Sequence, residues 1–239
     1  MKIFPAIDIK DKKCVRLVKG DFDNKTEYEI SPVEQAGKFK DHGFKNLHIV
    51  DLDGALSGKS VNKEIIKDIC NLKNVMIQTG GGIRSLDQIS QFLDMGVDKV
   101  ILGTKAIEDL NFLENACKKY DDKIILSIDA TGGFIALSGW TQKTNINAKN
   151  FIEKIKDFNI SRIIYTDIEK DGTKLGPNIE QTIFLSNLTK IPFVISGGIS
   201  SIKDVYNIKE KKFKNIIGII IGKAIYDGNI NLDKLSELT

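Results

Sequence analysis

The chain has 239 residues, 41% of them hydrophobic and 28% charged, with a formal net charge of +3 and a mean hydropathy of −0.14. These are values of an ordinary water-soluble globular chain, and no apolar run approaches the ~20 residues that cross a bilayer. The N-terminus turns polar too soon for a signal peptide, and the two signs of charge are intermixed with no basic block for a nucleic acid. Membrane, secreted and nucleic-acid-binding classes are therefore set aside. Cys14, Cys70 and Cys117 stand far apart, with no C-x-x-C and no histidine cluster. That pattern suits a reducing compartment and suggests neither a disulfide scaffold nor a metal site. A cytoplasmic chain folding as one domain over residues 1–239 is expected.

In chain order, β-branched runs predict strands at Lys2–Ile9, Asn46–Asp51, Val75–Thr79, Lys99–Leu102, Lys123–Asp129, Arg162–Thr166, Phe193–Ser196 and Ile216–Ile221. They are continuous apolar runs, as strands buried on both faces require. Amphipathic stretches between them predict helices at Pro32–Asp41, Lys63–Asn71, Leu86–Met95, Asn111–Tyr120 and Ala148–Phe158, with Ser31 and Ser85 as N-caps. Residues 10–30 and Thr131–Asn147 read as long loops. Eight β-then-α units without a Pro/Ser-rich linker predict a closed parallel (β/α)8 barrel. The rival, an open doubly wound sheet, lacks its usual G-x-G-x-x-G after the first strand.

The chain also repeats itself. Gly81-Gly82-Ile83 returns as Gly197-Gly198-Ile199, Ile101-Leu102-Gly103 as Ile220-Ile221-Gly222, Asp53-Gly54 as Asp171-Gly172, and Asp8 as Asp129. All these offsets lie within a few residues of one another, so the barrel reads as two duplicated half-barrels.

Functional groups in such barrels occupy the C-terminal strand ends and the loops after them. Glycine turns at Gly81-Gly82, Gly103-Thr104, Gly197-Gly198 and Gly222-Lys223 precede helices, where bare backbone N–H groups and a helix N-terminus suit a phosphate. Two matched pairs of turns predict a phosphate site on each side of the mouth, and a small-molecule substrate phosphorylated at both ends. The same match predicts that bulk at Gly82, Gly103, Gly198 or Gly222 does similar harm. Asp8 and Asp129, on opposed strands, can divide general acid and base work provided their environments differ. Thr166 and Asp171 are expected beside them. Asp51, Ser196, Gly172 and Gly176 are expected to line the site, with Arg84 beside the first glycine turn. Arg16 stands in the long first loop as part of a lid, and Trp140 in the other long loop suits stacking on a flat ring. Both histidines read as structural, His48 with a lesser claim on the site.

Pro5-Ala6-Ile7-Asp8, Val15-Arg16-Leu17 with Gly20-Asp21, and His48-Ile49-Val50-Asp51-Leu52-Asp53-Gly54-Ala55 resemble the phosphoribosylformimino-5-aminoimidazole carboxamide ribotide isomerases of histidine biosynthesis. So do Gly80-Gly81-Gly82-Ile83-Arg84, Asp171-Gly172-Thr173 and Gly222-Lys223-Ala224-Ile225-Tyr226, in order along the whole chain. The resemblance implies a half-barrel duplication, a bisphosphorylated substrate, no cofactor, and an Amadori rearrangement from aminoaldose to aminoketose. It makes Asp129 the general acid at the ribose ring oxygen and Asp8 the general base at the adjacent carbon, assisted by Thr166 and Asp171. A monomer is expected. One departure is Ser196 where the first half has a glycine. The alternatives are the cyclase subunit of imidazole glycerol phosphate synthase, whose first strand usually reads Cys-Leu-Asp, and a dual-substrate isomerase that also serves tryptophan synthesis.

Overall fold

Continuous apolar runs become buried parallel strands in the computed structural model of the chain, which describes residues 1–173 and 176–239. Strand β1 (Lys2–Lys10) runs into a hairpin of β2 (Lys13–Val18) and β3 (Asp21–Tyr28), then α1 (Pro32–Asp41) and β4 (Asn46–Asp51). Next come α2 (Leu52–Ser57), α3 (Lys63–Cys70), β5 (Met76–Gly80), α4 (Leu86–Asp94), β6 (Lys99–Leu102), α5 (Thr104–Glu108) and α6 (Leu110–Lys119). The second half has β7 (Ile124–Thr131), a hairpin of β8 (Phe134–Leu137) and β9 (Gln142–Asn147), α7 (Ala148–Ile155) and β10 (Arg162–Asp167). It ends with α8 (Ile179–Ser186), β11 (Phe193–Ser196), α9 (Ile202–Glu210), β12 (Ile216–Ile221), α10 (Lys223–Tyr226) and α11 (Leu232–Ser236).

Strands β1, β4, β5, β6, β7, β10, β11 and β12 pair in that order, all parallel, and β12 pairs with β1 to close the ring. The fold is the expected (β/α)8 barrel. Its interior is filled by Phe4, Ala6, Ile101, Ile125, Ile164, Val194 and Ile220, and a larger apolar layer lies between the ring and its helices. The predicted caps form: Ser31 closes a capping box with Glu34, and Ser85 accepts from the Gln88 N–H. Ser201, the repeat of Ser85, closes a second box with Asp204.

The two long loops are not loops. Each half begins with a strand, β1 or β7, that continues above the barrel and pairs antiparallel with its own hairpin. The misreading has a physical cause: β3 is exposed or half-buried along its whole length, and β9 is too. Strands without a buried face carry no apolar period, so their sequences look like solvated turns.

Candidate active site

Every candidate position except Asp51 and Gly176 lines one cavity at the C-terminal ends of the barrel strands. Asp8 and Asp129 stand two residues before the ends of β1 and β7, the first and fifth strands of the ring, which sets them on opposite sides of the mouth. Their surroundings differ. Arg16 does not swing in a lid: as a strand residue of β2 it is 7% exposed. Its Nη1 donates to Asp8 Oδ2 at 2.8 Å, its Nη2 donates to the Ala6 carbonyl, and its guanidinium lies 4.9 Å from the Tyr226 ring centroid. Among the described residues, the side chains that donate to Asp129 are neutral. Ser127 Oγ donates at 3.0 Å, and the side chains of Thr166, its register partner on β10, and Trp140 also donate to it. Burial pushes both carboxyls above the usual carboxylate range; Arg16 pulls Asp8 back, and the three neutral donors pull back Asp129. Asp171 is pushed up to about 7, first by burial and then by the charges of Asp8 and Asp129, against Arg16.

The hairpins roof this cavity. The Trp140 ring packs on Gly20 so closely that a Cβ there would collide with it. Ser138 donates its N–H to Thr104 Oγ1 at 2.8 Å, tying the second hairpin to the first half's glycine turn. The Lys19 N–H donates to the Asp171 carbonyl at 3.2 Å, tying the first hairpin to the loop after β10. Trp140 is thus half-buried.

The four glycine turns divide into two kinds. Gly82 and Gly198 have φ of +74° and +87°, and a Cβ would strike the Gly54 or Gly176 carbonyl oxygen. The chain needs glycine there with or without a ligand. Gly103 and Gly222 have matched backbones (φ, ψ of −123°, −109° and −116°, −102°) at the N-termini of α5 and α10. A Cβ on Gly103 meets nothing, leaving open space for a ligand, whereas one on Gly222 would come within 2.7 Å of the Arg16 guanidinium. The four positions are therefore not equivalent, contrary to the expectation from the repeat alone.

The sequence profile of the histidine biosynthesis protein family matches residues 2–231. The chain belongs to this family. Three relatives carry the name 1-(5-phosphoribosyl)-5-((5-phosphoribosylamino)methylideneamino)imidazole-4-carboxamide isomerase. The protein from Pelagibacter ubique is 58% identical over 98% of both chains. That from Oceanobacillus iheyensis is 47% identical over 99% of this chain and 98% of its own, and that from Bacillus anthracis 46% over 100% and 99%. The resemblance read from the sequence is borne out.

In this member of the family, Asp51 is a scaffold residue and does not line the cavity. It is fully buried, and its carboxylate accepts from the N–H groups of Gly54, Val61 and Asn62 and from Asn62 Nδ2, at 2.7 to 3.0 Å. Gly176 likewise backs the Gly198 turn, donating its N–H to the Gly198 carbonyl. The second half repeats the device: Asp167 accepts from Asn178 Nδ2 at 2.6 Å and from the Glu169 N–H. Each half thus ties the end of its second barrel strand to the residue before its next long helix, Asn62 or Asn178. The spacing Asp51–Asp167 equals Asn62–Asn178, a signal present in the repeat. Asp51→Ala leaves several buried donors unpaired, and should cost about 3 kcal/mol, lowering the melting temperature by roughly 10 °C; calorimetry checks it. Conversely, His48, read mainly as structural, lines the cavity.

Proposed function

We propose that the chain is the aminoaldose–aminoketose isomerase of histidine biosynthesis, acting on a substrate with a phosphate at each end. Asp129 serves as general acid and Asp8 as general base. The observation that carries this assignment is the unequal setting of two opposed carboxylates. An ionised base needs a cation, and Asp8 has Arg16 at 2.8 Å. An acid must hold its proton near neutrality, and Asp129 is buried and, among the described residues, accepts from the neutral side chains of Thr166, Trp140 and Ser127.

In this reading Asp129 protonates the ribose ring oxygen as the C1–O bond opens and the substituent nitrogen's lone pair forms a Schiff base. Asp8 then takes the proton from the adjacent carbon. The resulting enolamine tautomerises to the ketose. Arg16 holds Asp8 ionised and aimed, Thr166 orients Asp129, and Trp140 stacks on the substrate's ring system. Gly103 and Gly222, with Thr104 and Lys223, take the phosphates, while Gly81, Gly82, Gly197, Gly198, Ser196 and Arg84 shape the walls around them. Gly20 and Gly172 let the roof close. The chain works as a cytoplasmic monomer, without metal, nucleic acid or membrane; among the described residues no helix is long and apolar enough to span a bilayer. The test is to incubate the purified chain with the bisphosphorylated aminoaldose, in chelator and without ammonia, and to follow the ketose. Absence of turnover would refute the reading.

Asp171 gives a pH prediction. The charges of Asp8 and Asp129 raise the Asp171 pKa, and coupling between like charges is reciprocal, so an ionised Asp171 opposes ionisation of the other two. Asp171→Asn removes a negative neighbour, so the acid gives up its proton at lower pH. The basic limb of the kcat/KM profile should therefore move downward in pH, and an unmoved or raised limb would count against Asp129 as the acid.

A further inference from the structure

A buried polar chain runs from the barrel interior to the cavity wall. Arg162, at the start of β10, is 2% exposed, and Gln78 on β5 is fully buried. Arg162 Nη2 donates to Gln78 Oε1 at 2.6 Å, and Gln78 Nε2 lies 3.0 Å from His48 Nδ1. His48 and Gln78 are register partners on β4 and β5. On the adjoining strand, Ala6 pairs with His48 and Asp8 with Val50, so the ring sits one layer below the Asp8 carboxylate.

Donor and acceptor chemistry orders this chain without ambiguity. A guanidinium has no acceptor, so the Gln78 oxygen must face Arg162 and its NH2 must face His48. His48 Nδ1 must then accept, which leaves the proton of the neutral ring on Nε2. The ring is kept neutral, its pKa pushed down to about 3 by burial and by the cations of Arg16 and Arg162. Arg162 itself is costly. Among the described residues it forms no ion pair within 4.0 Å, its Nε is buried without a partner, and the Phe4 ring at 5.0 Å and Met76 Sδ at 3.9 Å pack against it, while Asp122 attracts it and Lys99 repels it from beyond ion-pair distance. Burial lowers its pKa to about 10, so it stays cationic at neutral pH. A buried, unpaired cation destabilises the fold, and packing alone gives no reason to keep one there.

We propose that Arg162 and Gln78 are positioning residues: the guanidinium orients the amide, and the amide fixes His48 as the Nε2–H tautomer, which presents that N–H to an oxygen of the sugar held between Asp8 and Asp129. A neutral imidazole donates a hydrogen bond without competing with Asp129 for the acid role. This rests on the isomerase reading, but its first test does not. The chain has two histidines, so ¹⁵N-histidine labelling gives two rings, assigned with His48→Gln. The wild-type spectrum should show His48 with Nε2 protonated and Nδ1 bare, unchanged between pH 6 and 8 as a group titrating near 3 requires. Nδ1 protonated would overturn the proposal.

Gln78→Glu offers acceptors to both neighbours and should move the proton to Nδ1, turning Nε2 into an acceptor. At pH 8 kcat should then fall by about 10²-fold, as when one aimed donor is lost, with a smaller change in KM. It should recover partly at lower pH as the ring becomes protonated and regains its Nε2–H. Arg162→Met removes the unpaired cation and is expected to stay folded. It frees the amide to turn, so a second His48 tautomer should appear. An unchanged His48 spectrum in this variant, or wild-type kcat in Gln78→Glu, would overturn the proposal. A wild-type chain that does not isomerise its substrate would refute the isomerase reading and leave the spectrum standing.

Discussion

Asp8→Asn and Asp129→Asn should each lower kcat/KM by at least ~10²–10⁴-fold, the range of a lost general acid or base. Asn is nearly isosteric and cannot exchange the proton, so substrate binding should survive in both. The two variants should part company in stability. A carboxyl whose folded pKa is raised carries a penalty at every pH above its unfolded pKa, relieved as pH falls through the raised value. Asp129 is such a group with neutral partners, so Asp129→Asn removes the penalty and should hold or raise the melting temperature at pH 7. Asp8 is raised by burial too, but Arg16, 8% exposed in its side chain, donates to it. Asp8→Asn takes away the carboxylate hydrogen-bonded to that cation and leaves Asp171 as its remaining acidic neighbour, and breaking a buried pair costs about 3–5 kcal/mol. Steady-state kinetics and calorimetry on both variants check the pair of outcomes. Near-normal turnover in either would remove that residue from the mechanism.

How much of this was legible before the fold was known depends on which contacts carry a local signal. The eight barrel strands are legible because strands buried on both faces are written as unbroken apolar runs. The twofold repeat is legible because Asp8 and Asp129, and the glycine turns, recur at nearly constant spacing. The hairpins are not legible, since β3 and β9 have no buried face. With them goes the Arg16–Asp8 pair, which exists only because β2 folds back to set Val15 opposite Asp8. Asp51 ends a strand, a position that predicts a site residue, yet strand ends also hold residues that tie loops together. His48, Gln78 and Arg162 come from three distant segments, and only the ring brings them into one chain. Neither period nor motif announces a contact between residues 84 positions apart.

Removing either phosphate from the substrate should lower kcat/KM by roughly three orders of magnitude or more, in kcat as well as KM. In the proposed mechanism, anchoring at both ends holds the sugar against Asp8 and Asp129, so remote binding energy lowers the barrier of the chemical step. Substitutions separate this effect from damage to the fold. Gly82→Val and Gly198→Val put a Cβ into backbone carbonyls at positive φ, and both should lose stability and activity together. Gly103→Val meets open space, so it should keep the melting temperature and lose activity only toward substrates that carry the phosphate bound there. Gly222→Val presses on the Arg16 guanidinium, which holds Asp8. It should depress turnover even of a substrate already lacking the nearby phosphate, because the base is disturbed as well as the anion site. Thermal melts with kinetics on intact and truncated substrates distinguish the four. If Gly103→Val turned over normally and a one-phosphate aminoaldose reacted as well as the intact substrate, the first half would hold no phosphate. A one-phosphate isomerase would then be the better reading of the same pair of aspartates.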